Sequence, residues 1–287
     1  MMGYFWFALI FWLAAWGFNE WLVRQKFSSR TFNRIAWFLV PVIFGISIIV
    51  LWQGVVLGFN ISPILLPAPT AIWQRLITSI PTLAADFRQT FLKSVLSGYI
   101  MGCGAGFVVA LLIDRSPFLK NGLLPLGNFV SALPIVGIAP IMVMWFGFDW
   151  QSKAAVVVVS TFFPMLVNTI QGLSSAGDME RDLMRTYAAS WWQTMMKLRL
   201  PAAWPFIFNA LKINSTLALI GAIVAEFFGT PTVGMGFRIS TEVGRANIDM
   251  VWAEIAVAAL AGSAFYGLVA LIQRVVTFWH PSVRSGR

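Results

Sequence analysis

The stretch DMERDLMRTYAASWWQTMMKLRLPAAWP, residues Asp178–Pro205, decides how the rest of the chain must be arranged. It carries seven charged side chains, whereas long apolar runs flank it on both sides, at Ala154–Leu173 and Phe206–Phe228. A segment with this many charges cannot lie in the hydrocarbon core of a membrane. We therefore predict that this stretch, called the charged segment below, is exposed at one face of a membrane.

The charged segment also has the pattern of two short helices. Asp178 is expected to cap a helix through Glu180–Ala189, and Pro201 and Pro205 are expected to stop and restart the chain. We interpret the segment as a short helix, a turn and a second short helix. A membrane protein that presents such an element to water offers it to a soluble partner.

Composition supports a membrane protein and argues against several other classes. Hydrophobic residues make up 59% of the chain and charged residues 11%, and the mean hydropathy is +0.78. A soluble domain has about a quarter charged residues. The net charge of +9 does not indicate nucleic-acid binding, because the basic residues lie in short loops between apolar runs. The sequence has no P-loop motif, and its single His280 and single Cys103 favour neither a metal site nor a cofactor.

Seven apolar runs predict an all-α fold, a polytopic membrane helix bundle. Gly98, Gly102 and Gly106 recur every four residues in the third run and predict a flat face for close helix packing. Three prolines in the fourth run predict a kinked or broken span. The seven predicted spans are Tyr4–Val23, Ala36–Leu57, Phe91–Ile113, Gly122–Gly147, Lys153–Leu173, Phe206–Phe228 and Met250–Val276.

The distribution of basic residues predicts the orientation of these spans. Basic residues follow the first run rather than precede it, which is typical of a retained span and not of a cleaved signal peptide. With loop 24–34 inside and the spans alternating, fourteen of the twenty lysine and arginine residues are cytoplasmic. The N-terminus is then outside, and the charged segment and the C-terminus are cytoplasmic, in a bacterial inner membrane.

Several motifs resemble a known family. The end of the charged segment, KLRLPAAWP, is similar to the cytoplasmic loop of permease subunits from binding-protein-dependent ABC importers. In that loop Asp182 takes the place of a glutamate, Leu183 and Met184 of two alanines, and Ala188 of a glycine. The stretches Leu65–Trp73, Ala132–Lys153, Phe162–Leu173 and Ala225–Phe237 resemble the branch that carries nitrate, sulfonates, taurine, thiamine pyrimidines and riboflavin.

The resemblance implies a fold, partners and a division of the chain. It implies the type I ABC importer permease fold at 35–276, after an accessory span and basic loop at 1–34 and before a basic tail at 277–287. A second copy would complete a homodimer, a separate ABC ATPase would dock on the charged segment, and a substrate-binding protein would deliver a small organic anion or heterocycle. The implied coupling residues are Asp182, Leu183, Met184, Arg185, Tyr187, Ala188, Ala189, Trp191, Leu198, Leu200 and Pro201.

The position of Ala188 carries a specific expectation. Alanine is disfavoured in the left-handed turn that the family's glycine permits, so we expect a right-handed turn here. Leu183, Met184, Tyr187 and Trp191 would then form an apolar stripe that fits a groove of the ATPase.

Glu226 lies near the outer end of the predicted span Phe206–Phe228 and is the strongest candidate for a residue of the substrate pathway. Two interpretations stay open at this stage: a pathway or gate residue, or a carboxylate that caps the following turn, Gly229–Gly236. Asn168 and Asn214 are weaker pathway candidates. The alternative class is an ion-driven secondary transporter or channel, which predicts several buried charges and an internal repeat.

Overall fold

The computed structural model of the chain describes residues 2–25, 30–116, 133–229 and 232–279, with single positions 118, 119, 122, 125, 127 and 130. Every regular element among these residues is helical. The helices are α1 Met2–Arg24, α2 Arg30–Gly58, α3 Pro69–Thr78, α4 Ile80–Phe87, α5 Leu96–Ile113, α6 Ile135–Phe146, α7 Trp150–Ser174, α8 Asp178–Thr186, α9 Trp191–Thr194, α10 Leu200–Glu226, α11 Met235–Gly244 and α12 Ile248–Val276.

Six continuous helices in the described residues are long and apolar enough to cross a membrane. They correspond to six of the seven predicted spans, and two of them are composite. A π-helical turn at Arg88–Val95 joins α4 to α5, and another at Met195–Arg199 joins α9 to α10. The remaining predicted span lies partly outside the described residues, and its described part is the 12-residue apolar helix α6.

The prolines of the charged segment do not behave as expected. Pro201 and Pro205 were expected to stop and restart the chain, but both lie inside the continuous helix Trp191–Glu226, so this prediction is wrong. The π-helical turn Met195–Arg199 ends two residues before Pro201, which lies in the first turn of α10, and it shifts the hydrogen-bond register of the helix there. A helix can accommodate a missing proline N–H next to such a turn without ending.

One compact unit comprises Met1–Ile80 and Thr241–Glu254. Here α1 and α2 pack closely, since a Cβ at Gly54 would overlap Ala8. The side-chain amide of Asn19 donates to the carbonyl of Val40 at 3.3 Å, so this polar residue faces the neighbouring helix. The predicted accessory span is therefore one half of a helical hairpin.

The second unit comprises Pro81–Ser240 and Ile255–Arg287, and its core lies among α5, α7 and α10. The glycine face predicted from the sequence is the contact surface between α5 and α7. A Cβ at Gly98 would lie 2.7 Å from the carbonyl oxygen of Ala154, and one at Gly106 would lie 2.5 Å from that of Phe162. Only glycine permits this approach of the two backbones.

Candidate functional site

The charged segment begins as an amphipathic helix, α8. Asp178 was expected to be its cap, but Gly177 occupies the cap position and Asp178 is the first helical residue. Asp178 and Glu180 lie in the first turn and Arg185 lies in the last turn, which suits the helix dipole at both ends. The helix therefore has local reasons to form without a capping side chain.

The turn after α8 is left-handed, contrary to the expectation for Ala188. Ala188 has a φ of +50°, so the predicted right-handed turn is wrong. The Ala189 N–H donates to Met184 O at 3.0 Å and the Ala188 N–H donates to Arg185 O at 2.9 Å. These two bonds define a Schellman motif, in which glycine is the preferred residue at the position of Ala188. The motif satisfies the last carbonyls of α8, and this offsets the steric penalty of alanine.

Ser190 then starts the second short helix, α9. Its hydroxyl accepts from the Gln193 N–H at 3.3 Å, while the Gln193 side chain accepts from the Ser190 N–H at 2.7 Å. This reciprocal capping box fixes where α9 begins. The predicted first helix and turn are present, with both ends of the turn held by local hydrogen bonds. The predicted second short helix is wrong, because α9 is the first turn of the continuous helix Trp191–Glu226.

Large apolar side chains on α8 are exposed despite its charge. Met179 is 85% exposed, Leu183 55% and Tyr187 77%, and their spacing of four residues places them along one face. Of the predicted coupling residues, Asp182, Leu183, Arg185, Tyr187 and Ala188 are exposed, whereas Met184, Ala189, Trp191, Leu198, Leu200 and Pro201 are half-buried. The predicted coupling residues are thus mostly exposed in the first half of the charged segment and half-buried in the second half.

A second polar cluster lies at the first turn of α11. The N–H of Gly234 donates to Asp86 at 2.6 Å, that of Met235 donates to the Thr90 hydroxyl at 2.8 Å, and that of Gly236 donates to Glu226 at 2.7 Å. The Thr90 hydroxyl donates in turn to the other oxygen of Glu226 at 2.8 Å. Three successive helix N–H groups are therefore capped by side chains from two other helices.

Two basic side chains balance the carboxylates of this cluster. Arg238 pairs with Asp86 at 2.8 Å, and the Asp86 side chain is fully buried. Lys153 is 1% exposed, donates to the carbonyl of Phe148 at 2.5 Å, and lies close enough to Glu226 to interact electrostatically. Buried carboxylates are stable only with such partners.

Of these residues, only Glu226 was predicted from the sequence. Asp86 and Thr90 lie about 140 residues from it along the chain, and Lys153 and Arg238 looked like ordinary residues near the membrane surface. The one local signal is the Gly234-Met235-Gly236 turn eight residues after Glu226, which indicates a capped turn but does not identify the distant residues that cap it. Gly234 has a φ of +145°, which favours glycine, and a Cβ there would lie 2.8 Å from the Glu226 carboxylate.

The two predicted asparagines donate hydrogen bonds within the helical bundle. Asn214 is fully buried in α10, and its amide donates to Thr161 O at 2.9 Å and to the Cys103 sulfur at 3.2 Å. It thereby ties α10 to both α7 and α5. Asn168 donates to Pro164 O at 2.8 Å within its own helix.

An apolar cavity of about 390 Å³ lies in the same unit, beside α7 and α10. Ser160 is the one polar side chain among its described lining residues, and its hydroxyl already donates to Val156 O at 2.8 Å. Neither the two asparagines nor Glu226 line this cavity. The described lining residues are Val130, Leu133, Ile135, Val136, Ile138, Val159, Ser160, Pro164, Leu217, Ile220 and Val224.

Six helices that are long and apolar enough to cross a membrane, with an exposed charged helix between two of them, define a polytopic membrane protein. Comparison with known proteins assigns the family. Residues 98–284, more than half of the chain, match the family described as the binding-protein-dependent transport system inner membrane component. The chain belongs to this family of ABC importer permeases, which are multi-pass inner membrane proteins and transport subunits rather than enzymes.

Individual relatives agree with this assignment. A probable ABC transporter permease protein of Haemophilus influenzae is 30% identical over 76% of this chain and 88% of its own. The aliphatic sulfonates transport permease SsuC of Bacillus subtilis is 28% identical over 92% and 94%, and the formylaminopyrimidine permease ThiX of Halalkalibacterium halodurans is 29% identical over 84% and 96%.

The fold is that of a type I ABC importer permease, as predicted. A chain of the MetNI methionine ABC transporter, in an inward-facing conformation, superposes with a TM-score of 0.55. The match covers 71% of this chain and 98% of that chain at 18% identity, so it shows the fold alone.

Proposed function

We propose that this permease imports a small organic anion or heterocycle and is driven by a separate ABC ATPase that docks on the charged segment. The observation that carries the proposal is the exposed row Met179, Leu183 and Tyr187 on a helix whose C-terminal end is fixed by a Schellman motif. An apolar helix face exposed to water suits insertion into a groove of a protein partner. Asp182 and Arg185, both exposed, would set the register through charge pairs.

The proposed assembly contains two copies of this chain, two ATPases and one substrate-binding protein. One chain of this size is too small to enclose a translocation path, which favours a homodimer around the path. The binding protein would deliver substrate to the outer loops Asn60–Pro69 and Gly229–Asn247. We also propose that residues 1–34 form an accessory span and basic loop, 35–276 the importer's transmembrane domain, and 277–287 a basic tail.

The proposed substrate class is organic, of the sulfonate, taurine, thiamine-pyrimidine or riboflavin type, with nitrate as the simplest anion of the branch. The named sulfonate and formylaminopyrimidine relatives support this range. The apolar cavity beside α7 and α10 favours solutes with an apolar part, since its one polar lining side chain already has a partner. A pathway role for Glu226, Asn168 and Asn214 stays a prediction.

Uptake by the reconstituted transporter tests the proposed function. We expect proteoliposomes with permease, ATPase and binding protein to accumulate at least one of labelled taurine, methanesulfonate, hydroxymethylpyrimidine or riboflavin when Mg-ATP is present on the cytoplasmic face. Omission of either the ATPase or Mg-ATP should abolish uptake. Uptake by the permease alone, driven by an ion gradient, would instead support the secondary-transporter class.

We further propose that the N-terminus is outside and the C-terminus cytoplasmic, on the strength of the basic-residue distribution. A reporter that is active only in the cytoplasm should be silent when fused before Tyr4, and active when fused after the last residue. An active reporter before Tyr4 would contradict the orientation of α1.

A further inference from the structure

The loop after α5 holds the second half of the charged segment through Asp114. Both oxygens of this carboxylate accept from Arg199, at 2.6 and 2.7 Å, and the Asp114 side chain is 1% exposed. Such a two-pronged arginine–carboxylate pair is strong and geometrically specific. The next residue, Arg115, lies over the ring of Trp191, with 4.7 Å between the guanidinium carbon and the ring centre. Asp114 and Arg115 therefore contact two residues of the charged segment, Arg199 and Trp191, that are eight positions apart.

Arg199 also reaches a third helix. Its Nε donates to the carbonyl of Leu173, at the end of α7, at 3.0 Å. One guanidinium therefore joins the end of α5, the end of α7 and the start of α10. Arg199 is the last residue of the π-helical turn Met195–Arg199, and π turns are frequent at functional positions.

The exposed first half of the charged segment, α8, has its own hydrogen bond to the end of α7. The Arg181 guanidinium donates to Ser174 O at 2.7 Å, whereas the pair between Arg185 and Asp182 is exposed on both sides. A displacement of α8 therefore has two routes to the spans: the Arg181 bond to the end of α7, and the helix that begins at α9 and reaches α10 through Arg199.

We propose that Asp114 and Arg199 form a transmission joint: positioning residues that make α5, α7 and α10 follow the charged segment when the ATPase moves it. This inference rests on the proposed docking of an ATPase. Lysine at position 199 keeps the charge but cannot form both bonds to Asp114 and the bond to Leu173 together. Arg199→Lys should therefore leave docking intact and interrupt transmission.

Hydrogen–deuterium exchange of the complete transporter, with Mg-ATP and vanadate as the probe, tests the joint. In the wild type we expect trapping to change exchange both in residues 178–190 and in the outer half of α10. In Arg199→Lys and Asp114→Asn, the change in 178–190 should remain and the change in α10 should disappear. Transport per ATP hydrolysed should fall on the order of tenfold, the usual scale of coupling between sites.

Lys197→Arg is the matched control, because Lys197 is an exposed residue of the same π-helical turn and the substitution keeps its charge, so both regions should respond as in the wild type. If Arg199→Lys and Asp114→Asn also respond in both regions, the joint is refuted. Loss of the response in 178–190 as well would mean that the pair shapes the docking surface, which also overturns it. If the wild type itself shows no change in 178–190, ATPase docking fails, and the proposed function fails with it.

Discussion

Tyr187→Asp is expected to release the ATPase from a permease that is otherwise folded and inserted. Tyr187 is 77% exposed at the end of α8 and supports no part of the core, so its replacement should change stability by no more than about 0.5 kcal/mol. An aromatic anchor lost from the centre of an interface costs about 2 kcal/mol or more, which weakens binding roughly thirtyfold. Co-purification of the ATPase and uptake should both be lost.

Two substitutions of Ala188 complete the test: Ala188→Gly is the control, and Ala188→Trp is a second disruptive variant. Ala188→Gly suits the left-handed φ of +50°, relieves a penalty of about 1 kcal/mol and should retain the ATPase. Ala188→Trp places a bulky side chain in the same strained turn and should release it. If both Tyr187→Asp and Ala188→Trp keep the ATPase and transport normally, the charged segment is an ordinary solvated loop, and the proposed function loses its main support.

Glu226→Gln is expected to destabilise the permease, because both carboxylate oxygens already accept hydrogen bonds. Glutamine replaces one acceptor with a donor, which then faces either the Gly236 N–H or the Thr90 hydroxyl. A buried donor left unpaired costs about 1–3 kcal/mol. Thr90→Val should cost more, since it leaves both the Met235 N–H and one Glu226 oxygen without a partner.

Thermal unfolding in detergent, measured beside uptake, separates capping from a pathway role. Thr90→Ser keeps the hydroxyl and is the control, with an expected loss of about 1 kcal/mol or less for the missing methyl group. The expected order of destabilisation is Thr90→Ser, then Glu226→Gln, then Thr90→Val. A Glu226→Gln protein as stable as the wild type but unable to transport would instead place this carboxylate on the substrate pathway.

The helices and their class could be predicted because hydropathy and charge act locally. A long apolar run must hide its backbone polar groups in a helix, and a run of charges must leave the membrane, whatever the rest of the chain does. The same local logic predicted the face formed by Gly98, Gly102 and Gly106, since small residues four apart lie in one row. It also predicted the position of the charged segment.

Local rules were insufficient where two of them competed. Ala188 disfavours a left-handed turn, yet the hydrogen bonds of Ala188 and Ala189 to the end of α8 outweigh that penalty. Proline usually ends a helix, yet the π turn before Pro201 lets the helix continue. The outcome in each case depends on hydrogen bonds that a propensity argument does not count.

The amino-acid sequence by itself therefore determined the membrane class, six of the helical spans and the exposure of the first half of the charged segment. Only the tertiary structure decided which polar residues act together. Asp86, Thr90 and Glu226 meet around one helix end, and Asp114 meets Arg199, across 85 to 148 residues of chain. A charge buried among apolar helices is stable only with a partner of opposite charge or a hydrogen-bonding group. Which residue becomes that partner depends on how the helices pack, and this cannot be predicted from the sequence near the charge.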